Sequence, residues 1–267
     1  MRAVDGAALA AGAGLALLTT VCCAWRWKIV ANGLGAELSL PAAVGAYYRS
    51  VFLNLTLPGG VVGDVHRAVT HGRDVNDVRR ALRAVVWERA AGQVVQVAVT
   101  VVVLLALPSP VHAAMPLVVC ALVVVALAGG IVVRVRRPAR ARGRSVAAVA
   151  LASALVVGGH AVTFLIAART AGATVPVSRM LPLALLVMAV MVLPSVGGWG
   201  LREGGAAWVF ASAGLGAQQG VATGVVYGVM VLVASLPGAA VLVVSWSRRI
   251  RPPQRRERPL AEEPARA

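Results

Sequence analysis

The chain has 267 residues, 59% of them apolar and 13% charged, with a mean hydropathy of +0.80 and a formal net charge of +16. A soluble domain carries about a quarter of its residues as charged side chains, so this composition excludes one. The arginines cluster in short loops and a tail, where they set membrane orientation, and this argues against nucleic acid as a partner.

Ala7–Trp25 reads as the first span. Arg26 and Lys28 follow it, which marks an anchor with a cytoplasmic end rather than a cleavable signal. Ser39–Leu57 is a second apolar stretch, interrupted by Arg49 and closed by Pro58-Gly59-Gly60. Arg49 follows Tyr47 and Tyr48; it can snorkel to the headgroups or meet a substrate phosphate. Residues 64–89 are polar. Val75, Val78, Leu82, Val85 and Val86 share one helical face there, away from Arg79, Arg80 and Arg83, which predicts an amphipathic helix at the cytoplasmic interface.

Ala90–Leu107 and Met115–Val133 are the next spans. Six arginines then fall between Arg134 and Arg144 with no acid among them, a strong inside signal. Val146–Ala168 returns outward. Met180–Leu193 and Gly205–Ala217 are each short for a crossing; they fit a re-entrant pair, a broken helix or a short-loop hairpin. Val221–Trp246 runs inward to a basic tail, residues 248–267, expected to be disordered and cytoplasmic. Cys22, Cys23 and Cys120 lie in apolar spans and form no disulfide framework or metal spacing.

The fold class is therefore an all-α polytopic membrane protein of about five to seven transmembrane helices, with one or two re-entrant or broken Gly-Pro helices. Residues 1–247 form the membrane domain. Counting spans brings the two breaks in from opposite faces, as an inverted repeat does. The repeat is weak in sequence, because the spacing ahead of each break differs.

The breaks carry the candidate site. Leu57-Pro58-Gly59-Gly60-Val61-Val62-Gly63-Asp64-Val65-His66-Arg67 closes one apolar stretch. Leu193-Pro194-Ser195-Val196-Gly197-Gly198-Trp199-Gly200-Leu201-Arg202-Glu203 closes the other. Pro58 and Pro194 disfavour helix before them. The glycines let the backbone turn and approach a ligand, and free N–H groups at such a break suit an anion such as a lipid phosphate.

Asp64 and Arg67 are spaced to pair on a helix. Asn54 is placed to hydrogen-bond within the first break. Arg202 and Glu203 point apart on a helix, so each is expected to find other partners. They are ionisable groups at membrane depth, or members of a loop that reaches the surface. Glu88 and Arg89 open a span after Trp87, which serves the helix dipole and the interface or a ligand. His160, alone in its span, is a packed histidine or a proton relay. No metal, nucleotide or nucleophile motif occurs, so neither metal nor cofactor is expected.

Trp25-Arg26-Trp27, the first break from Phe52 to Arg67, Trp87-Glu88-Arg89-Ala90-Ala91-Gly92 and the second break through Gly204 resemble the lysylphosphatidylglycerol synthase transmembrane region, a flippase-like family. The similarity runs from about residue 7 to residue 247. It implies a multi-pass protein of a bacterial inner membrane that moves lipids between leaflets. It also implies a further helix ahead of the first span and an aminoacyl-transferase domain after the last. About 20 residues follow the last span here, so transport without that catalysis is expected.

The sequence thus predicts a translocator for a phospholipid or lipid-linked substrate. An anionic or aminoacylated headgroup would meet Asn54, Gly59, Gly60, Gly63, Asp64, Arg67, Glu88, Arg89, Gly197, Gly198, Gly200, Arg202 and Glu203. A membrane enzyme using Asp64 or Glu203 as acid or base is the alternative, as is a non-catalytic subunit recruiting a separate lipid-modifying enzyme.

Overall fold

A computed structural model describes residues 6–107, 143–191 and 200–250. The expected span Met115–Val133, the arginine loop up to residue 142, Pro194, Gly197, Gly198 and the tail from residue 251 lie outside the described residues. Eight helices are described: α1 (Gly6–Gly33), α2 (Leu40–Thr56), α3 (Val62–Asp74), α4 (Val78–Ala106), α5 (Gly143–Thr170), α6 (Val177–Val190), α7 (Leu201–Ser212) and α8 (Ala217–Ile250). There is no strand among the described residues. Four helices, α1, α4, α5 and α8, are long and apolar enough to cross a membrane. The chain is a polytopic membrane protein.

The short helices come in pairs. Ser39 caps α2, its side chain accepting from the Ala42 N–H, and Pro41 sits in the first turn, where its missing donor is harmless. After Thr56 the chain turns through Gly59 and Gly60, at φ +96° and +63°, a region that suits glycine. It then returns as α3, packed on α2. At 17 and 13 residues, both are shorter than the roughly 20 that cross a bilayer. The second pair, α6 and α7, has 14 and 12 residues. Gly200, at φ +84°, leads into α7.

The order long, short pair, long therefore occurs twice: α1, α2–α3, α4 and then α5, α6–α7, α8. The packing repeats with it. Helix α2 meets α8 as α6 meets α4; α3 meets α4 as α7 meets α8; α1 meets α2 as α5 meets α6. The most extensive contact joins the two leading helices, α1 and α5. Gly159 lies under Thr19, while Arg26 reaches Ser153, so α1 and α5 run antiparallel. Equivalent helices of opposite direction with matching contacts are the pattern of an inverted repeat.

Gly159 permits this central crossing. A Cβ there would stand 2.2 Å from the Thr19 methyl, whereas one on Gly158 would meet open space. Gly159→Val is expected to cost about 1–3 kcal/mol by overpacking. Gly158→Val should stay within about 0.5 kcal/mol. Thermal unfolding of both variants in detergent checks the contrast.

Three boundaries differ from the sequence reading: helix α1 runs past Trp25 to Gly33, and α4 and α8 depart from it as well. Helix α4 starts at Val78 rather than near Ala90, capped by Asp77, whose side chain accepts from the Arg80 N–H. The segment 64–89 is thus divided between two helices, with Ala81, Ala84 and Val85 buried and Val78, Leu82 and Val86 exposed. Helix α8 continues to Ile250, into the first residues assigned to the tail.

Candidate functional site

The site is built where α1, α2, α3 and α4 converge. Asp64 in the first turn of α3, Arg67 one turn on, and Glu88 and Arg89 of α4 meet Arg26 of α1. Glu88 is completely buried, and Arg67 is 1% exposed. Arg26 donates from Nε to Glu88 Oε1 at 2.8 Å and pairs with the same oxygen through Nη2. Arg67 Nη2 donates to Glu88 Oε2 at 2.8 Å, and its Nε donates to Asp64 Oδ1 at 3.0 Å. Arg89 pairs with Asp64 Oδ2. Three guanidiniums thus share two carboxylates, which leaves one uncompensated positive charge.

Aromatic rings close the network. The Arg67 guanidinium lies between Trp27 and Tyr47, 4.5 Å from each ring centroid, a favourable cation–π arrangement in a dry setting. The Tyr47 hydroxyl donates to Glu88 Oε1 at 3.3 Å. Ser50 donates to Asp64 at 3.2 Å.

Asn54 does what its position in the sequence suggests. It donates to Asp64 Oδ2 at 3.1 Å and accepts from the Gly63 N–H at 2.7 Å, so it ties the end of α2 to the start of α3. The Asp64–Arg67 pair also forms as the spacing predicts. Asp64 and Arg67 are therefore structural partners of each other.

Beside the network lies a cavity of about 220 Å³ between α1, α2, α4, α5 and α8. Its polar lining includes Arg26, Arg89, Gln93, Gln96, His160 and Ser235. Gln93 Oε1 and Gln96 Nε2 are buried with no hydrogen-bond partner. A buried polar atom of this kind calls for a ligand or water. His160 shares a 2.9 Å hydrogen bond with the Tyr227 hydroxyl, so it is held in place by a partner.

Of the residues proposed from sequence to bind substrate, Arg89 lines this cavity. Asp64, Arg67 and Glu88 stand behind it in the ion-pair network. Gly59, Gly60 and Gly63 shape the hairpin turn and lie outside the cavity wall, as do Gly200, Arg202 and Glu203.

Two electrostatic expectations are corrected. Glu88 does not sit in a first helical turn, because α4 begins ten residues earlier; its burial between Arg26 and Arg67 replaces the dipole argument. Arg202 and Glu203 do not turn away from each other. Arg202 donates from Nε and Nη2 to Glu203 Oε1 at 2.9 and 2.7 Å, while Glu203 Oε2 accepts from the Gly200 N–H at 2.6 Å. At a helix start the Glu side chain folds back to cap the free N–H groups, and the long Arg side chain follows it.

Arg26, Gln93, Gln96 and His160 were not among the site residues chosen from sequence. By sequence Arg26 marks a cytoplasmic flank, yet it is 6% exposed and ion-paired. The signal was present: in Trp25-Arg26-Trp27 the aromatic neighbours continue the apolar helix past the charge, so the charge stays inside.

A buried, net-positive ion-pair network thus stands beside a polar cavity in a helical bundle whose halves repeat in opposite directions, the build of a polytopic membrane protein with ionisable groups enclosed between its helices. Residues 1–238 match the lysylphosphatidylglycerol synthase transmembrane region, and the chain belongs to that family. No curated protein and no solved structure matches it significantly.

Proposed function

We propose that the protein translocates a phospholipid or lipid-linked substrate whose anionic or aminoacylated headgroup occupies the cavity between α1, α4 and α5. The family is tied to lipid modification or transport. The observation that carries the reading is the cavity's chemistry: two arginines, two unpartnered glutamine atoms and a neighbouring network with a positive charge to spare. At about 220 Å³ it is smaller than the 300–1,000 Å³ of a typical ligand pocket. That suits a headgroup, with the acyl chains left in the bilayer. The arginine cluster between residues 134 and 144 supports a C-terminus on the cytoplasmic side by the positive-inside rule, and the family supports a bacterial cell membrane as the setting.

Headgroup chemistry is the weaker reading. Asp64 and Glu203, the acids it would use, are each held by an arginine and a second donor. Recruitment of a separate enzyme would use the arginine loop and tail, which lie outside the described residues.

Proteoliposomes containing headgroup-labelled phosphatidylglycerol or lysylphosphatidylglycerol test the proposal. Transfer between leaflets should exceed that of protein-free vesicles. Arg89→Gln and Gln93→Leu should each lower it by about tenfold or more, the scale of one lost charge-assisted hydrogen bond. Transfer no faster than in empty vesicles would end the proposal.

A further inference from the structure

A second cavity, of about 250 Å³, opens on the other side of Arg67. It lies near the ends of α1 and α8 and the start of α2, with Trp27, Arg49, Arg67 and His71 in its wall. Each of these four side chains has a buried nitrogen without a hydrogen-bond partner: Trp27 Nε1, Arg49 Nε, Arg67 Nη1 and His71 Nε2. Seven such side-chain atoms occur among the described residues, and four of them belong to this one wall.

Trp27, Arg67 and His71 are all more than nine-tenths buried. Unsatisfied polar atoms are rare in a folded interior, and four together require an explanation. All four are nitrogens: two belong to permanently charged guanidiniums and one to an indole that can only donate. Such a set recognises an oxyanion.

The charge distribution agrees. Arg67 spends Nε on Asp64 and Nη2 on Glu88, while Nη1 is left over on this side. Pro41 and Ala42, in the first turn of α2, form part of the wall, so the positive end of that helix faces the same space. Asp74 is the acid in the lining, and it is exposed at the rim. There it can receive an ammonium group without blocking an anion deeper in. Burial holds the His71 imidazole below its ordinary pKa, against a backbone hydrogen bond with Ala36 and the charge of Asp74. A bound anion would reverse that balance and favour the imidazolium, a further donor.

We propose that this cavity is a phosphate-binding site, separate from the cavity assigned to the translocated headgroup, and that Arg49, Arg67, Trp27 and His71 hold the phosphate oxygens. The group belongs either to a lipid headgroup or to a free phosphate. The proposal does not depend on transport.

The experiment is calorimetric titration of the full-length protein in maltoside micelles, which contain no phosphate. One arm uses inorganic phosphate and the other uses dihexanoyl phosphatidylglycerol below its micelle concentration. Saturable binding of at least one probe is expected. Arg49→Gln should weaken it about tenfold or more. Trp27→Phe, which keeps the ring over Arg67 and removes one donor, should weaken it about fivefold. Gly158→Val, at a position with open space around it and in the wall of neither cavity, should leave it unchanged.

Equal binding of both probes assigns the site to free phosphate, and tighter binding of the lipid assigns it to a headgroup. Elution volume and thermal unfolding establish that each variant is folded, and either substitution alone carries the test. The proposal is overturned if neither probe binds. It is overturned equally if Arg49→Gln and Trp27→Phe bind as the wild type does, or if binding is lost only with Gln96→Leu, which would place the probe in the headgroup cavity.

Discussion

Glu88→Ala is expected to destabilise the protein by about 3–5 kcal/mol, the cost of removing one partner from a buried ion pair. Glu88 is completely buried and is the shared acceptor of Arg26 and Arg67. Without it, two guanidiniums remain in a dry interior with Asp64 as the remaining acid of the network. Asp64 already serves Arg67, Arg89, Asn54 and Ser50. Glu88→Gln keeps the shape and one acceptor oxygen but not the charge, so its cost should fall between wild type and alanine. Arg26→Met in the Glu88→Ala background should recover part of the loss, since one of the stranded charges goes with it. Thermal unfolding in detergent measures all three. If Glu88→Ala unfolds with the wild type, the buried network does not exist as described.

Gly63→Ala is the second large effect. A Cβ on Gly63 would stand 2.0 Å from the Ser50 carbonyl oxygen and 2.7 Å from its carbon. These are backbone atoms of α2 and cannot swing aside. The added methyl must part α2 from α3, which breaks the Asn54–Gly63 and Ser50–Asp64 hydrogen bonds together. A loss of at least about 3 kcal/mol is expected, at or above the upper end of ordinary overpacking. Gly59→Ala is the control. Its neighbourhood is open, so it bears only the strain of φ +96°, about 1–2 kcal/mol. Lipid transfer measured on the same variants should fall with Gly63→Ala far more than with Gly59→Ala. The reverse order would show that the glycine turn, rather than the helix contact, carries the function.

Much of the architecture was legible because lipid imposes a simple rule. Backbone groups in the bilayer must be paired within a helix, so a long uncharged run is a helix, and Pro with Gly marks its interruption. That logic places α5 and α8 within a few residues, finds α2 almost to its ends and identifies α6 and α7 as short. The pairing of Asp64 with Arg67 follows from spacing alone, and a hydrogen bond from Asn54 within the first break from its position, though not its partners Asp64 and Gly63.

The same logic failed where a charge sits on an apolar helix and is buried instead of marking an end. Arg26 and Glu88 each looked like the limit of a span, because the positive-inside rule treats charge as a boundary. They lie 62 positions apart and neutralise each other across α1 and α4. That compensation exists only once the helices are packed. The Arg202–Glu203 pair misled for a different reason. Helical geometry separates neighbouring side chains, but a helix start leaves free N–H groups that draw the carboxylate back.

The amino-acid sequence by itself determined that this protein lives in a membrane, where most of its described helices lie and where the chain turns after α2, because each of these depends on neighbouring residues and on the solvent. The tertiary structure alone decided which charges meet, that the two halves pack as oppositely directed copies, and that the unpartnered nitrogens of Trp27, Arg49, Arg67 and His71 line one cavity. Those features depend on helices α1, α2 and α3 converging from separate parts of the chain, and spacing along a single helix carries no record of a partner on another.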